Sequence, residues 1–184
     1  MKKTKSLALQ ERAVKLIPGM TQLLSKRPDM YSRGVWPTYF KEAKGIKITD
    51  LDGNEYLDFS IGGIGATVLG YADEDVNKAV KLVIDMGSAS TLNPPEEVEL
   101  AQLLIDLHPW AQMARFARSG GEAMAIAIRI VRTAMKKDII IFCGYHGWMD
   151  WYLAANLGRQ GALDDQWIAG LPPNGVPKGL IGTV

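Results

Sequence analysis

The run Arg118-Ser119-Gly120-Gly121-Glu122-Ala123 stands where an apolar stretch, residues 114–117, gives way to a long amphipathic segment. Its Gly-Gly step lets the backbone approach a ligand closely, and the free N–H groups of a helix start point outward, as a phosphate requires. A second group, Cys143-Gly144-Tyr145-His146-Gly147-Trp148, follows another apolar stretch, residues 139–142, and delivers an aromatic ring and a histidine at its end. In an open parallel sheet, ligands bind outside the carboxyl ends of the strands. A phosphate seat on one strand end and a ring on the next together suit a phosphorylated aromatic molecule.

Each of these residues also has a plainer reading. On spacing alone, Ser119-Gly120-Gly121 is a glycine turn that lets a strand and a helix pack. Tyr145 is then a core aromatic, and Glu122 an acid favoured by the positive end of a helix. Histidine is the residue type most used as a general base, so His146 invites that role; orienting its loop through hydrogen bonds is the preferred reading. His108, before Pro109-Trp110, reads as structural, and Cys143 as a packed strand residue. No Cys, His and carboxylate cluster has metal-ligand spacing.

The elements that must position these groups can be read upstream. Ala13, Val14, Leu16 and Ile17 share a short helix that Pro18-Gly19 ends. Residues 21–37 read as an ordered loop. Ile46 and Ile48 alternate with polar neighbours, Asp52-Gly53-Asn54 supplies turn chemistry, and Tyr56-Leu57-Asp58-Phe59 returns as a second strand, which makes a hairpin. Gly62, Gly63, Gly65 and Gly70 mark a segment of close approach. Asp73 caps a helix to about Met86, with Val76, Ala79, Val80 and Val83 on one face. Pro94-Pro95 opens another, with Val98, Ala101, Leu104 and Leu107 as its buried stripe. The helix from Glu122 to about Met135 is expected to bury Ala123, Ile126, Ala127, Ile130 and Val131. Strand, helix, strand in this order predicts a right-handed parallel crossover. After Trp151 the pattern fades into a Gly- and Pro-rich tract, residues 170–177.

The 184 residues allow one domain and part of a second. Lys and Arg number 21 against 20 Asp and Glu, for a formal net charge of +1, so neither nucleic acid nor an acidic membrane surface is indicated as a partner. The single cysteine fits a reducing compartment. The apolar run Leu7-Ala8-Leu9 is stopped by Gln10-Glu11-Arg12, and no stretch is long enough to cross a bilayer. These features read as a cytoplasmic protein.

The two motifs resemble the Ser-Gly-Thr-Glu-Ala and Tyr-His-Gly motifs of class III aminotransferases, which include glutamate-1-semialdehyde 2,1-aminomutase. The resemblance extends from about Tyr39, through the segment from Gly45 to Phe59, into Gly62, Gly65 and Leu69-Gly70. It implies pyridoxal 5'-phosphate as cofactor and the fold type I architecture. That fold is α/β, a mostly parallel sheet with flanking helices (the large domain) plus a small domain. Residues 1–60 would give the small domain an N-terminal helix and β-hairpin, and 61–184 the first part of the large domain.

By the same resemblance, Ser119, Gly120 and Gly121 hold the cofactor phosphate, Tyr145 stacks on the pyridine ring, and His146 lies beside it. The family usually carries Thr or Ser where this chain has Gly121, so one hydroxyl contact is absent while the backbone donors remain. The family's Schiff-base lysine and its acid for the pyridinium nitrogen lie downstream of the Tyr-His-Gly motif. Here Asp150, Asp164 and Asp165 end no convincing strand, and Lys178 stands in a loop context. The chain is therefore expected to be the amino-terminal portion of an aminotransferase or aminomutase, with no catalytic residue of its own. A small-molecule amino donor, a carbonyl acceptor and a homodimeric assembly are implied, with the 88–93 loop facing the partner's cofactor.

Ser60-Ile61-Gly62-Gly63-Ile64-Gly65 departs from the aminomutase pattern, and the Gly-Gly variant together with the segment from Tyr145 to Trp151 resembles a subgroup associated with sugar or polysaccharide amination. The alternative is a non-catalytic truncated copy that binds cofactor or serves as a dimer partner. A nucleotide-binding Rossmann-like domain is disfavoured, because the Gly-x-Gly-x-x-Gly spacing is absent.

Overall fold

A tight turn at Asp52-Gly53-Asn54 organises a three-stranded antiparallel sheet, in which β1 (Phe40–Lys44) pairs with β2 (Lys47–Asp50), and β2 with β3 (Glu55–Leu57). The computed structural model describes residues 4–60, 62–159, 161–163 and 172–184. Its chain divides into two compact units, Met1–Leu92 and Asn93–Val184.

In the first unit the expected hairpin is present, with Ile48 opposite Tyr56. β1 was not anticipated. Its sequence, Phe-Lys-Glu-Ala-Lys, leaves all but Ala43 exposed, so no apolar alternation marks it. Asp50, only 3% exposed, ties the turn together. Its Oδ1 accepts from the N–H groups of Asp52 (2.8 Å) and Asn54 (2.9 Å), and its Oδ2 from Asn54 Nδ2 (2.8 Å) and the Tyr56 hydroxyl (3.0 Å). Burial alone would raise the Asp50 pKa, but these hydrogen bonds together outweigh it and hold the group below the ordinary carboxylate value.

The neighbouring Asp52 reaches across to α1 (Lys5–Leu16) and accepts from the N–H groups of Lys5 (2.8 Å) and Ser6 (3.1 Å), donors a helix start leaves unpaired. Ser6, Gln10 and Ala13, spaced to share one helix face, are its buried residues. Gln10 Nε2 donates to Thr38 Oγ1 at 2.8 Å. The loop that follows is ordered by three single 3₁₀ turns, Pro18–Met20, Leu24–Lys26 and Pro28–Met30.

After β3 comes a single helical turn, α2 (Gly62–Gly65), and the chain then returns to the hairpin at Tyr71. Gly45 and Tyr71 exchange two backbone hydrogen bonds of 2.8 Å, and the Tyr71 hydroxyl donates to Asp58. Asp73 caps α3 (Glu74–Met86) as expected, accepting from the N–H groups of Asp75 and Val76. The apolar stripe of α3 is present in sequence, yet none of its residues is buried.

The second unit contains α4 (Glu96–Leu107), α5 (Gly120–Met135), α6 (Asp150–Leu153) and α7 (Ala155–Gly158). Three expectations change here. Residues 114–117 and 139–142 join no strand ladder among the described residues, so the expected parallel sheet is not formed. An apolar run becomes a strand only when a neighbour supplies the other half of its hydrogen bonds, and these two runs do not pair with each other. Ile141 is 96% exposed in consequence. The stripe of α4 is likewise uncovered: Val98 and Leu107 are exposed, Ala101 and Leu104 only half-buried.

The third change concerns α5, whose buried residue is Ile128 rather than Ile130 or Val131, both exposed. The structure packs α5 on a different face, where Met124, Ala125 and Ile128 meet Trp151 and the fully buried Tyr152. Cys143 is exposed as well, since no strand lies beside its run to cover it. Of the acids considered from sequence, Asp150 opens α6, whereas Asp164 and Asp165 lie outside the described residues, as do residues 170 and 171 of the Gly- and Pro-rich tract. Lys178 stands in the 3₁₀ turn Lys178–Leu180. Among the described residues no helix is long and apolar enough to cross a membrane, and no group of three His, Cys, Asp or Glu could hold a metal ion.

Candidate cofactor site

Ser119 starts α5 in extended backbone geometry and acts as its N-cap, its Oγ accepting from the Glu122 N–H at 3.3 Å. Glu122 reaches back, and its Oε2 accepts from the Arg118 N–H at 2.9 Å. This is a capping box displaced by one residue. The Ser-x-x-Glu spacing that signals it is legible in the sequence, where Glu122 reads as a first-turn acid.

With Glu122 N–H bonded to Ser119 Oγ and Ala123 N–H to the Ser119 carbonyl, the first turn is left with the N–H groups of Gly120 and Gly121. Neither has an acceptor among the described residues. The space beside Gly120 is open, with nothing within 4 Å of where a β-carbon would stand. The Ser119 hydroxyl proton adds a third donor. A set made only of donors, at the positive end of a four-turn helix and open to solvent on one side, fits a phosphate group.

The second motif lies against this turn. Gly147, with φ +103°, approaches so closely that a β-carbon on it would come 3.4 Å from the Gly121 Cα. Met149 leans on Gly121 from the same loop. The structure therefore brings Ser119, Gly120 and Gly121 together with the loop that carries Tyr145 and His146. No spacing rule in the sequence marks Met149, because its contact is made only when the loop folds over the helix.

Tyr145 is half-buried, its ring edge-on to Tyr152 with centroids 5.8 Å apart. Burial pushes its hydroxyl above the ordinary tyrosine pKa, so it stays protonated at neutral pH. His146 Nε2 lies 2.8 Å from the Cys143 carbonyl oxygen. A carbonyl can only accept, so Nε2 carries the proton and the ring pins its own turn. Tyr152 packs against both rings, and Phe142 and Trp151 against His146, with Phe142 and Tyr152 centroids 5.0 Å apart and His146 edge-on to Phe142 at 5.8 Å. Neither motif by itself announces this aromatic support, although the recurrence of Trp and Tyr at 148, 151 and 152 is visible in the sequence.

The family model for class-III aminotransferases matches residues 30–163 of this chain. The chain belongs to that family. Among curated relatives, it is 34% identical over 152 residues to a 3-aminobutyryl-CoA aminotransferase of Cloacimonas acidaminovorans, covering 82% of this chain and 36% of that protein. It is 40% identical over 153 residues to a glutamate-1-semialdehyde 2,1-aminomutase of Acetivibrio thermocellus, covering 80% and 34%.

Two solved structures follow the whole of this chain over 41% of their own length, each with a TM-score of 0.79. One is an omega-transaminase from Sphaerobacter thermophilus at 30% identity, the other a transaminase with PLP bound at 28%. The chain thus spans about a third of the length of the curated relatives it matches. Family and neighbours imply dependence on pyridoxal phosphate and an architecture consistent with fold type I.

Proposed function

We propose that this chain forms the phosphate seat and the ring-facing wall of a pyridoxal-phosphate-dependent class III aminotransferase or aminomutase. The observation that carries this reading is the close packing of Gly147 on Gly121, where a β-carbon on Gly147 would stand 3.4 Å from the Gly121 Cα, so that the Tyr145 loop lies against an all-donor helix start. Pyridoxal phosphate, when bound, supplies the electron sink through which an amino group passes from a small donor to a carbonyl acceptor.

The residues of this chain bind and orient. The N–H groups of Gly120 and Gly121 and the hydroxyl of Ser119 hold the phosphate. One exposed helix end contributes only about 0.3–1 kcal/mol per charge, so the direct hydrogen bonds carry most of the affinity. The Tyr145 ring restrains the tilt of the pyridine, and its protonated hydroxyl brings no negative charge near the phosphate. His146 holds the turn that presents Tyr145. Lys178, the one lysine after Tyr145, stands in an exposed 3₁₀ turn, which supports the reading that the covalent lysine is not among these residues. A homodimer is the proposed assembly of the whole enzyme.

The test is titration of the 184-residue chain with pyridoxal phosphate and with pyridoxal. Loss of even one charge-assisted hydrogen bond corresponds to about tenfold or more, so pyridoxal should bind at least that much more weakly. Tyr145→Ala should weaken pyridoxal phosphate by about threefold to tenfold, the range of an aromatic stacking contact. Equal affinity for the two ligands would overturn the phosphate seat. A borohydride-reduced adduct on Lys178 would overturn the placement of the covalent lysine.

A further inference from the structure

Gly121, like Gly120 and unlike Gly144 and Gly147, needs no positive φ. It lies inside α5 with ordinary helical backbone, so any residue could stand there as far as the chain itself is concerned. What excludes a side chain is Met149. A β-carbon on Gly121 would lie 3.0 Å from Met149 Cε, 3.4 Å from Cγ and 3.9 Å from Sδ, and these are its three nearest neighbours. The thioether occupies the room that a side chain at 121 would need.

Met149 is also fixed at its other end. Its carbonyl accepts from the N–H groups of Tyr152 (2.9 Å) and Leu153 (3.1 Å), so the residue that leans on α5 also starts α6. Its side chain packs against the cluster of Ile128, Trp151, Tyr152 and Leu163. It joins three things: the first turn of α5, the aromatic core, and the loop that carries Tyr145. Methionine suits such a joint, since its unbranched, polarizable chain fills an irregular gap.

We propose that Met149 is a positioning residue for the cofactor site. Seated on Gly121, it clamps the Tyr145 loop to the phosphate-binding turn and so sets where the ring stands relative to the phosphate. The proposal rests on the cofactor reading given above. It makes Gly121 and Met149 one steric unit, in which the missing side chain at 121 is the socket for the side chain at 149.

Two ligands separate positioning from mere stability. Inorganic phosphate uses the helix start alone, whereas pyridoxal phosphate uses the helix start and the ring wall together. In the 184-residue chain, Met149→Ala should weaken pyridoxal phosphate by about threefold to tenfold, the share of a stacking contact, and leave inorganic phosphate within about twofold. Gly121→Val should also weaken pyridoxal phosphate by about threefold to tenfold, because its branched side chain drives Met149 from its socket. Both changes break the same contact, so Gly121→Val with Met149→Ala should bind no more weakly than either single variant. Equal weakening of both ligands, or single effects that multiply in the double variant, would overturn the clamp.

If the unaltered chain bound pyridoxal as well as pyridoxal phosphate, the cofactor reading would fall and the contact would be judged separately. For that, Gly121→Cys with Met149→Cys, in a Cys143→Ser background, should close a disulfide under mild oxidation, since the Cγ of residue 149 already stands 3.4 Å from a β-carbon at 121. Failure to close it would overturn the clamp whatever the ligands do.

Discussion

Asp50→Asn removes a charge and almost no volume, which makes it a clean probe of the turn that holds the first unit together. The carboxylate receives four hydrogen bonds, two on each oxygen, in a site only 3% exposed. An asparagine can keep its oxygen towards the N–H groups of Asp52 and Asn54. Its amide nitrogen then faces Asn54 Nδ2, donor against donor, while the Tyr56 hydroxyl can rotate to accept. The balance is one bond lost, one reversed, and two that no longer end on a charge. Bonds to charged groups contribute about 1.5–3 kcal/mol, and a stranded buried donor costs about 1–3. A loss of about 2–3 kcal/mol follows, or about 4–12 °C in Tm for a chain of this size.

The pH dependence gives the sign. The native pKa of Asp50 lies below its unfolded value of 3.8, so its stabilisation is complete above that pH and is lost as pH falls through the native pKa. The gap in Tm between parent and variant should therefore be full at pH 7 and narrow below about pH 4. Other carboxylates with depressed pKa values, such as Asp58, are common to both proteins and cancel in the difference. Thermal unfolding by circular dichroism at pH 7 and pH 3 measures both quantities. Hydrogen exchange at the amides of Asp52 and Asn54 reports the turn itself. A variant that melts within 1 °C (roughly 0.3 kcal/mol) of the parent at pH 7, with unchanged protection at those two amides, would refute the reasoning.

Two further perturbations test other joints. Gly70 has φ +90°, and a β-carbon on it would lie 3.1 Å from both the Cα and the carbonyl oxygen of Gly45, backbone that cannot swing aside. Gly70→Ala should cost at least about 1–2 kcal/mol and strip exchange protection from the paired amides of Gly45 and Tyr71, read by the same melt and exchange measurements. Ser119→Asp separates folding from binding. Aspartate still caps α5, so Tm should stay within about 2 °C of the parent, whereas its charge should repel a phosphate and weaken pyridoxal phosphate by at least about tenfold. Ser119→Ala should do the reverse for stability, with a loss of about 1 kcal/mol.

What the sequence by itself determined were the features made by neighbours along the chain. The hairpin around Asp52-Gly53-Asn54, the Asp73 cap, the helix starts at Pro94-Pro95 and Ser119, and the ordered loop before β1 all follow from turn, cap and periodicity rules that act within a few residues. The proposed site residues stand out for the same reason, since Ser119-Gly120-Gly121 and Tyr145-His146 each form a local motif. β1 was not legible, because an exposed strand needs no apolar alternation.

Only the tertiary structure decided which faces are covered. The stripes of α3 and α4 are correctly periodic but lie open, α5 buries Ile128 instead of Ile130, and residues 114–117 and 139–142 form no ladder. Periodicity states which residues would share a face; burial and strand pairing need a second surface brought up from elsewhere in the chain. The Met149–Gly121 contact belongs to this second kind. It exists because the Tyr145 loop folds back over the first turn of α5, and two residues that meet only across a fold leave no spacing to read.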